Sequence, residues 1–155
     1  WDLGATTTGD YTVGAKLGLL ADGRFIVAHV EREKLKTHDR DKRMKDTADN
    51  DGRGKVKQSI PQDPGQAGKS QVLAFATLLA GHSLHFSLES GDKVVRSEPF
   101  ASQVNAGNVI LLKGPWNKAF TEELQLFPGG SYDDQVDGAS RAFNELMQPA
   151  AGIFA

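Results

Sequence analysis

Four carboxylates stand where the chain passes from one element to the next: Asp2 in the opening WDLGAT, Asp63 in QDPGQAGKS, and Asp133 with Asp134 in YDDQVDGAS. Asp2 is the most demanding of them, because it sits between Trp1 and Leu3 in a strand-like run, and a buried carboxylate is costly without a compensating cation. Three or more carboxylates in a chain without cysteine make a hard, all-oxygen donor set, which suits Mg²⁺ or Mn²⁺ rather than zinc. Two such ions about 4 Å apart activate a water and stabilise the leaving oxygen of a phosphodiester. The acids therefore point to metal-assisted phosphodiester hydrolysis, if the fold gathers them.

Each acid also has a simpler role open to it. Asp133 can cap the last helix, Asp63 before Pro64 can be a turn residue, and Asp10 in GDYT can either approach a metal or shape a hairpin. Asp137 lies four residues after Asp133 and four before Arg141, a spacing that lets it reach inward with Asp133 or pair with Arg141, and the structural role is the one expected. The histidines offer no rival site: His82 and His85 are expected on opposite faces of one strand, and His29 is expected to pack within another. GQAGKS looks like a nucleotide phosphate loop, but Asp63 stands where that loop needs its first glycine. Gly65 and Gly68 are better read as a tight turn.

The elements that must position these residues follow in order. Strand-like WDLGAT, YTVGAKLGLL and RFIVAHVER come first, with the hairpin signal Asp22-Gly23 between the last two. The charged run from Lys34 to Arg53 reads as an exposed helix or mobile loop, a solvated face with some capacity for DNA phosphates. KVKQSIPQD predicts a fourth strand ending at Asp63, and PGQAGKSQVLAFATLLAG a helix with Val72, Phe75, Ala76 and Leu79 on one face. HSLHFSLES predicts a strand, SEPFASQVNAGN a short helix, VILLKG a strand, and WNKAFTEELQLF a helix. SYDDQVDGASRAFNELM predicts the last helix, with Val136, Ala139, Phe143 and Leu146 as its apolar stripe. A meander followed by alternating helices and strands predicts an α/β domain with a mixed sheet, over 1–147, and a loose tail over 148–155.

Bulk properties narrow the field. The 155 residues suit one domain, and with 39% hydrophobic and 25% charged residues the composition is that of a globular protein. No apolar run reaches the roughly 20 residues of a membrane span, so no membrane partner is expected, and no signal-peptide pattern is present. The start at Trp1, already in strand-like sequence, predicts a piece of a longer protein. A net charge of -2 does not advertise nucleic-acid binding, which must then rest on local charge.

WDLGAT with GDYTVG, QDPGQAGKS, GDKVVRSEPFASQVNAGNV, GPWNKAFTEELQLFPGG and YDDQVDGAS, in this order, resemble the C-terminal nuclease domain of tailed-bacteriophage terminase large subunits. The resemblance runs from Trp1 to about Met147. It implies an RNase H-like fold, a central mixed β-sheet flanked by helices, and a metal-dependent endonuclease that cuts concatemeric phage DNA during genome packaging. By position, Asp2, Asp63 and the Asp133 and Asp134 pair match the metal ligands, two Mg²⁺ or Mn²⁺ ions are implied, and Asp10 matches a nearby acid. Double-stranded DNA, an N-terminal packaging ATPase, small terminase and portal are the implied partners, and the host cytoplasm during phage assembly the implied place. Tyr132 stands where many relatives have His, and the run from Lys34 to Arg53 lacks the family's better-patterned helix.

Lys69, Lys93, Arg96 and Lys113 are the basic residues expected to hold the duplex, with weak, salt-sensitive and sequence-indifferent binding. The rival readings are a Holliday-junction resolvase or integrase-like enzyme, and a non-catalytic DNA-binding or assembly module whose acids hold a structural ion.

Overall fold

Asp22 and Gly23 do make the turn of a hairpin. In a computed structural model that describes residues 1–148, they join β1 (Thr12–Leu19) to β2 (Phe25–Glu33). Gly23 has φ 87°, a conformation that favours glycine, and its N–H donates to the Leu20 carbonyl at 3.0 Å. Asp22 accepts from the Arg24 backbone N–H at 3.0 Å and from its guanidinium at 2.8 Å, which fixes the turn from outside. A connection this short allows only antiparallel neighbours. β2 in turn pairs in parallel with β5 (Val109–Leu111), aligning Phe25 with Val109, so the sheet β1-β2-β5 is mixed.

The opening WDLGAT does not form a full strand. It makes one antiparallel bridge, Asp2 to Val13, with both N–H to O bonds at 2.9 Å. The remaining strands, β3 (Lys57–Gln62) and β4 (Ser83–Leu88), pair in parallel over their whole length. The helices are α1 (Thr37–Asp51), α2 (Gly65–Leu78), α3 (Lys93–Asn105), α4 (Asn117–Leu126) and α5 (Asp134–Met147). The protein is thus α/β with a mixed sheet, as expected, while the tail expected over 148–155 lies, from 149 on, outside the described residues.

The described chain forms two compact units: Trp1–Gly14 with Glu31–Gly91, and Ala15–Val30 with the residues from Asp92 onward. In the first, Trp1, Met44, Ala48, Ile60, Phe75 and Leu79 form a buried cluster. In the second, the Phe143 ring meets Phe25 at 4.7 Å and Phe100 at 5.7 Å between centroids.

α1 corrects the reading of the charged run as an exposed helix or mobile loop. Arg40, Met44 and Ala48 recur every fourth residue and are buried, with Arg40 over the Phe75 ring at 5.5 Å. Full burial of a side chain such as Met44 stabilises by roughly 1.5–3 kcal/mol, enough to seat a helix whose other residues are mostly charged. Those charges neutralise one another, Lys42 with Asp46 and Lys45 with Asp49, each pair adding only a few tenths of a kcal/mol. His29 is exposed on β2 and keeps an edge-on ring contact with Trp116, 6.4 Å between centroids. Two further readings change. His82 lies just before β4 with its side chain buried against Asp49 at 2.9 Å. The helix expected from SEPFASQVNAGN begins earlier, at Lys93, because Asp92 caps it by accepting from Val94 and Val95 N–H.

Candidate functional site

Trp1 explains how Asp2 is held. Its backbone nitrogen donates to the Ser59 carbonyl at 2.8 Å and its indole N–H to Gln58 Oε1 at 2.7 Å, so the opening residues lie between β1 and β3. Trp1 and Leu3 both pack into the apolar cluster, and an extended chain alternates faces, so Asp2 points to the opposite side, where it is half-buried. Gly14 lies on the Trp1 side: a Cβ there would meet the Trp1 ring at 2.7 Å and Glu31 Oε1 at 3.0 Å. Only glycine leaves room for that ring. Val13, directly opposite Asp2, therefore shares its face.

The same alternation places Asp63. Gln58 and Ile60 are turned to Trp1, so Ser59 and Pro61 belong to the other face. Asp63 continues that series, because the residue before a proline stays extended. Asp2 and Asp63 thus share one face of the first unit. Beyond Asp63 the turn is tight: a Cβ on Gly68 would lie 1.7 Å from the Asp63 carbonyl oxygen, and Gln71 Oε1 accepts the Asp63 N–H at 3.3 Å. GQAGKS is therefore the first turn of α2, closed on the strand end by glycine. Asp63 itself is exposed.

In the second unit Asp133 occupies the N-cap position of α5 but its side chain caps nothing. Instead Lys93 Nζ reaches Asp133 Oδ1 at 2.8 Å and Asp137 Oδ2 at 2.6 Å. Burial alone would lower the Lys93 pKa, yet the two carboxylates outweigh it and raise the ammonium well above its ordinary value. Arg96 stands 4.0 Å from Asp137. The cap comes from another helix: Glu123 of α4, 6% exposed, accepts Gln135 N–H at 2.6 Å and Val136 N–H at 3.1 Å, and its other oxygen accepts the Gln135 amide at 2.6 Å. A buried anion against the first turn of a helix is stabilised by both the free N–H groups and the dipole. Asp134 follows Asp133 and is buried at 7% exposure.

A family model described as the terminase RNaseH-like domain matches residues 1–146. The chain belongs to that family. No curated protein and no solved structure matches it. The match makes this terminase domain a nuclease-type module with an RNase H-like fold. Within each unit, among the described residues, no group of three or more Asp, Glu or His side chains is gathered to hold an ion. Of the other expected residues, Asp10 is exposed in the loop before β1, and Lys69 and Lys113 are exposed.

Sequence reasoning missed Glu123 in the terminase domain, because nothing in a Glu-rich helix sequence marks which carboxylate will cap a distant one. It also did not foresee Lys93, forty-four positions before Asp137, which bridges Asp137 to Asp133.

Proposed function

We propose that this terminase domain is a metal-dependent endonuclease that cuts duplex DNA by two-metal phosphodiester hydrolysis, with Asp2, Asp63, Asp133 and Asp134 as the metal-holding acids. The family match carries this reading, and it is supported by the shared face of Asp2 and Asp63 in the first unit. The donor chemistry fits divalent ions: all four are carboxylates, and Asp133 at the start of α5 already attracts a cation, the Lys93 ammonium. Bound Mg²⁺ or Mn²⁺ would supply an activated water and charge stabilisation at the leaving oxygen. The chain's own part is to fix the acids. Trp1 and Val13 lock Asp2, Gly68 and Gln71 fix the Asp63 backbone, and Glu123 secures the helix that begins at Asp134. Lys93 balances the charge of Asp133 and Asp137. Cutting concatemeric phage DNA in the host cytoplasm, beside a packaging ATPase, small terminase and portal, is the biological setting this reading implies.

The test is conversion of supercoiled plasmid to nicked and linear forms in Mg²⁺, Mn²⁺ and EDTA. Asp2→Ala and Asp63→Ala should each lower metal-dependent cleavage by more than about a hundredfold, beyond the loss typical of residues that only support a metal ligand, while the far-ultraviolet spectrum stays unchanged. Folded protein that binds DNA without cutting it in either metal would instead favour the non-catalytic module, and preference for branched over linear DNA a resolvase.

A further inference from the structure

The end of β2 sorts its charges by face. Glu31 and Glu33 point toward α1, where Arg43 reaches them at 3.3 and 2.9 Å and Thr47 donates to Glu31 at 2.8 Å. Arg32 and Lys34, on the alternate positions, go the other way and converge on one aromatic ring: the Arg32 guanidinium carbon lies 3.8 Å and the Lys34 ammonium 4.7 Å from the centre of Tyr11. Tyr11 is two residues before Val13, the partner of Asp2, so its ring stands on the Asp2 face. Three independent relations agree on that face: the Asp2–Val13 bridge, the Gly14 and Glu31 contact on the opposite side, and the Tyr11 ring contacts.

We propose that Tyr11, Arg32 and Lys34 form a phosphate-contacting site that holds the backbone of duplex DNA beside Asp2 and Asp63. The identity of the ligand rests on the nuclease reading above; the site itself rests on the geometry of the first unit. The Arg32 guanidinium is held against the Tyr11 ring, and a planar guanidinium is the group whose fork of N–H donors suits bidentate phosphate contact. Lys34 adds a second positive charge at the same ring, and the acids of β2 are held away on the α1 side. A polyanion near Asp2 needs such local cations, because the chain as a whole carries a net charge of -2. Lys69, the basic residue expected beside Asp63, is exposed near the start of α2.

The experiment measures binding of a fluorescein-labelled DNA duplex to the chain in EDTA, as a function of salt, by anisotropy. Removing two phosphate contacts should flatten the slope of log affinity against log salt by about 2, so Arg32→Gln with Lys34→Gln should show that loss and Arg32→Lys with Lys34→Arg should keep the wild-type slope. Tyr11→Phe should bind as wild type and Tyr11→Leu several-fold more weakly, since only the first keeps the ring. A wild-type slope in the Gln double variant, an equal loss in the charge-keeping variant, or no salt-dependent binding by folded wild type would each overturn the proposal. Cleavage is scored separately: a chain that binds through these residues and never cuts defeats the nuclease reading alone, and one that cuts with an unchanged slope defeats this one alone.

Discussion

Gly68 stands so close behind Asp63 that a methyl group on its Cα would lie 1.7 Å from the Asp63 carbonyl oxygen and 2.7 Å from the carbonyl carbon. Both atoms are backbone and cannot rotate away, so the turn must open to admit even alanine. Gly68→Ala is expected to cost about 2–4 kcal/mol in urea unfolding and to depress metal-dependent cleavage with it, because the displaced carbonyl belongs to Asp63. Unchanged stability and cleavage would show that the strand end is not held by this contact. The sequence marked this place correctly, as a strand ending at an acid and a glycine turn. It marked Asp2 by the cost of placing a carboxylate between Trp1 and Leu3, and alternation along the extended chain then sets it on the face opposite those two residues. Period-2 alternation is local, and local rules are what a single sequence displays. The partner of Asp133 is another matter. A helix-capping acid and an acid held by a distant lysine look identical in sequence, and Lys93 comes from α3.

At the scale of elements, the later helices form where their apolar spacing puts them, burying Phe75 of α2 and Val136, Ala139 and Phe143 of α5 while Ala76 and Leu146 are exposed, but α1 does not advertise itself. Its buried stripe is Arg40, Met44 and Ala48, of which Arg40 contributes its stem and its stacking on Phe75 rather than an apolar side chain. A stripe built partly from arginine is invisible to a hydrophobicity count. The start of α5 was hidden differently, since its cap is tertiary. Glu123 accepts two backbone N–H groups and a side-chain amide from α5 while almost fully buried. Glu123→Ala leaves all three donors without that acceptor and is expected to destabilise by about 2–4 kcal/mol, measured by chemical denaturation. Glu123→Gln should lose a large part of the same amount, because its amide would set N–H groups against N–H donors. A loss no larger than that of exposed Glu122→Ala would show that α5 needs no cap from α4.

Across the whole molecule, the acids that structure the surface are held by cations rather than by burial, and acid should reveal it. Asp49 is drawn below the ordinary 3.8 first by the Lys45 ammonium and then by His82, and Asp22 likewise by the Arg24 side chain and backbone. A carboxyl whose folded pKa is depressed binds fewer protons folded than unfolded, so its contribution is present above the ordinary value and is lost as pH falls through the folded one. Both groups are fully exposed, so each effect is small. Asp49 differs in having a buried ring against it as well as a lysine, with the His82 side chain 2% exposed and its Nε2 2.9 Å from Asp49 Oδ1. Acidification that neutralises Asp49 therefore removes one anion from two partners at once, the Lys45 ammonium and the His82 ring. The urea midpoint of wild type should fall between about pH 5 and pH 3, and Asp49→Asn should flatten that fall more than Asp22→Asn does. Equal pH dependence in Asp49→Asn and wild type would mean that the charges of α1 only solvate the helix, and that Met44 and Ala48 hold it alone.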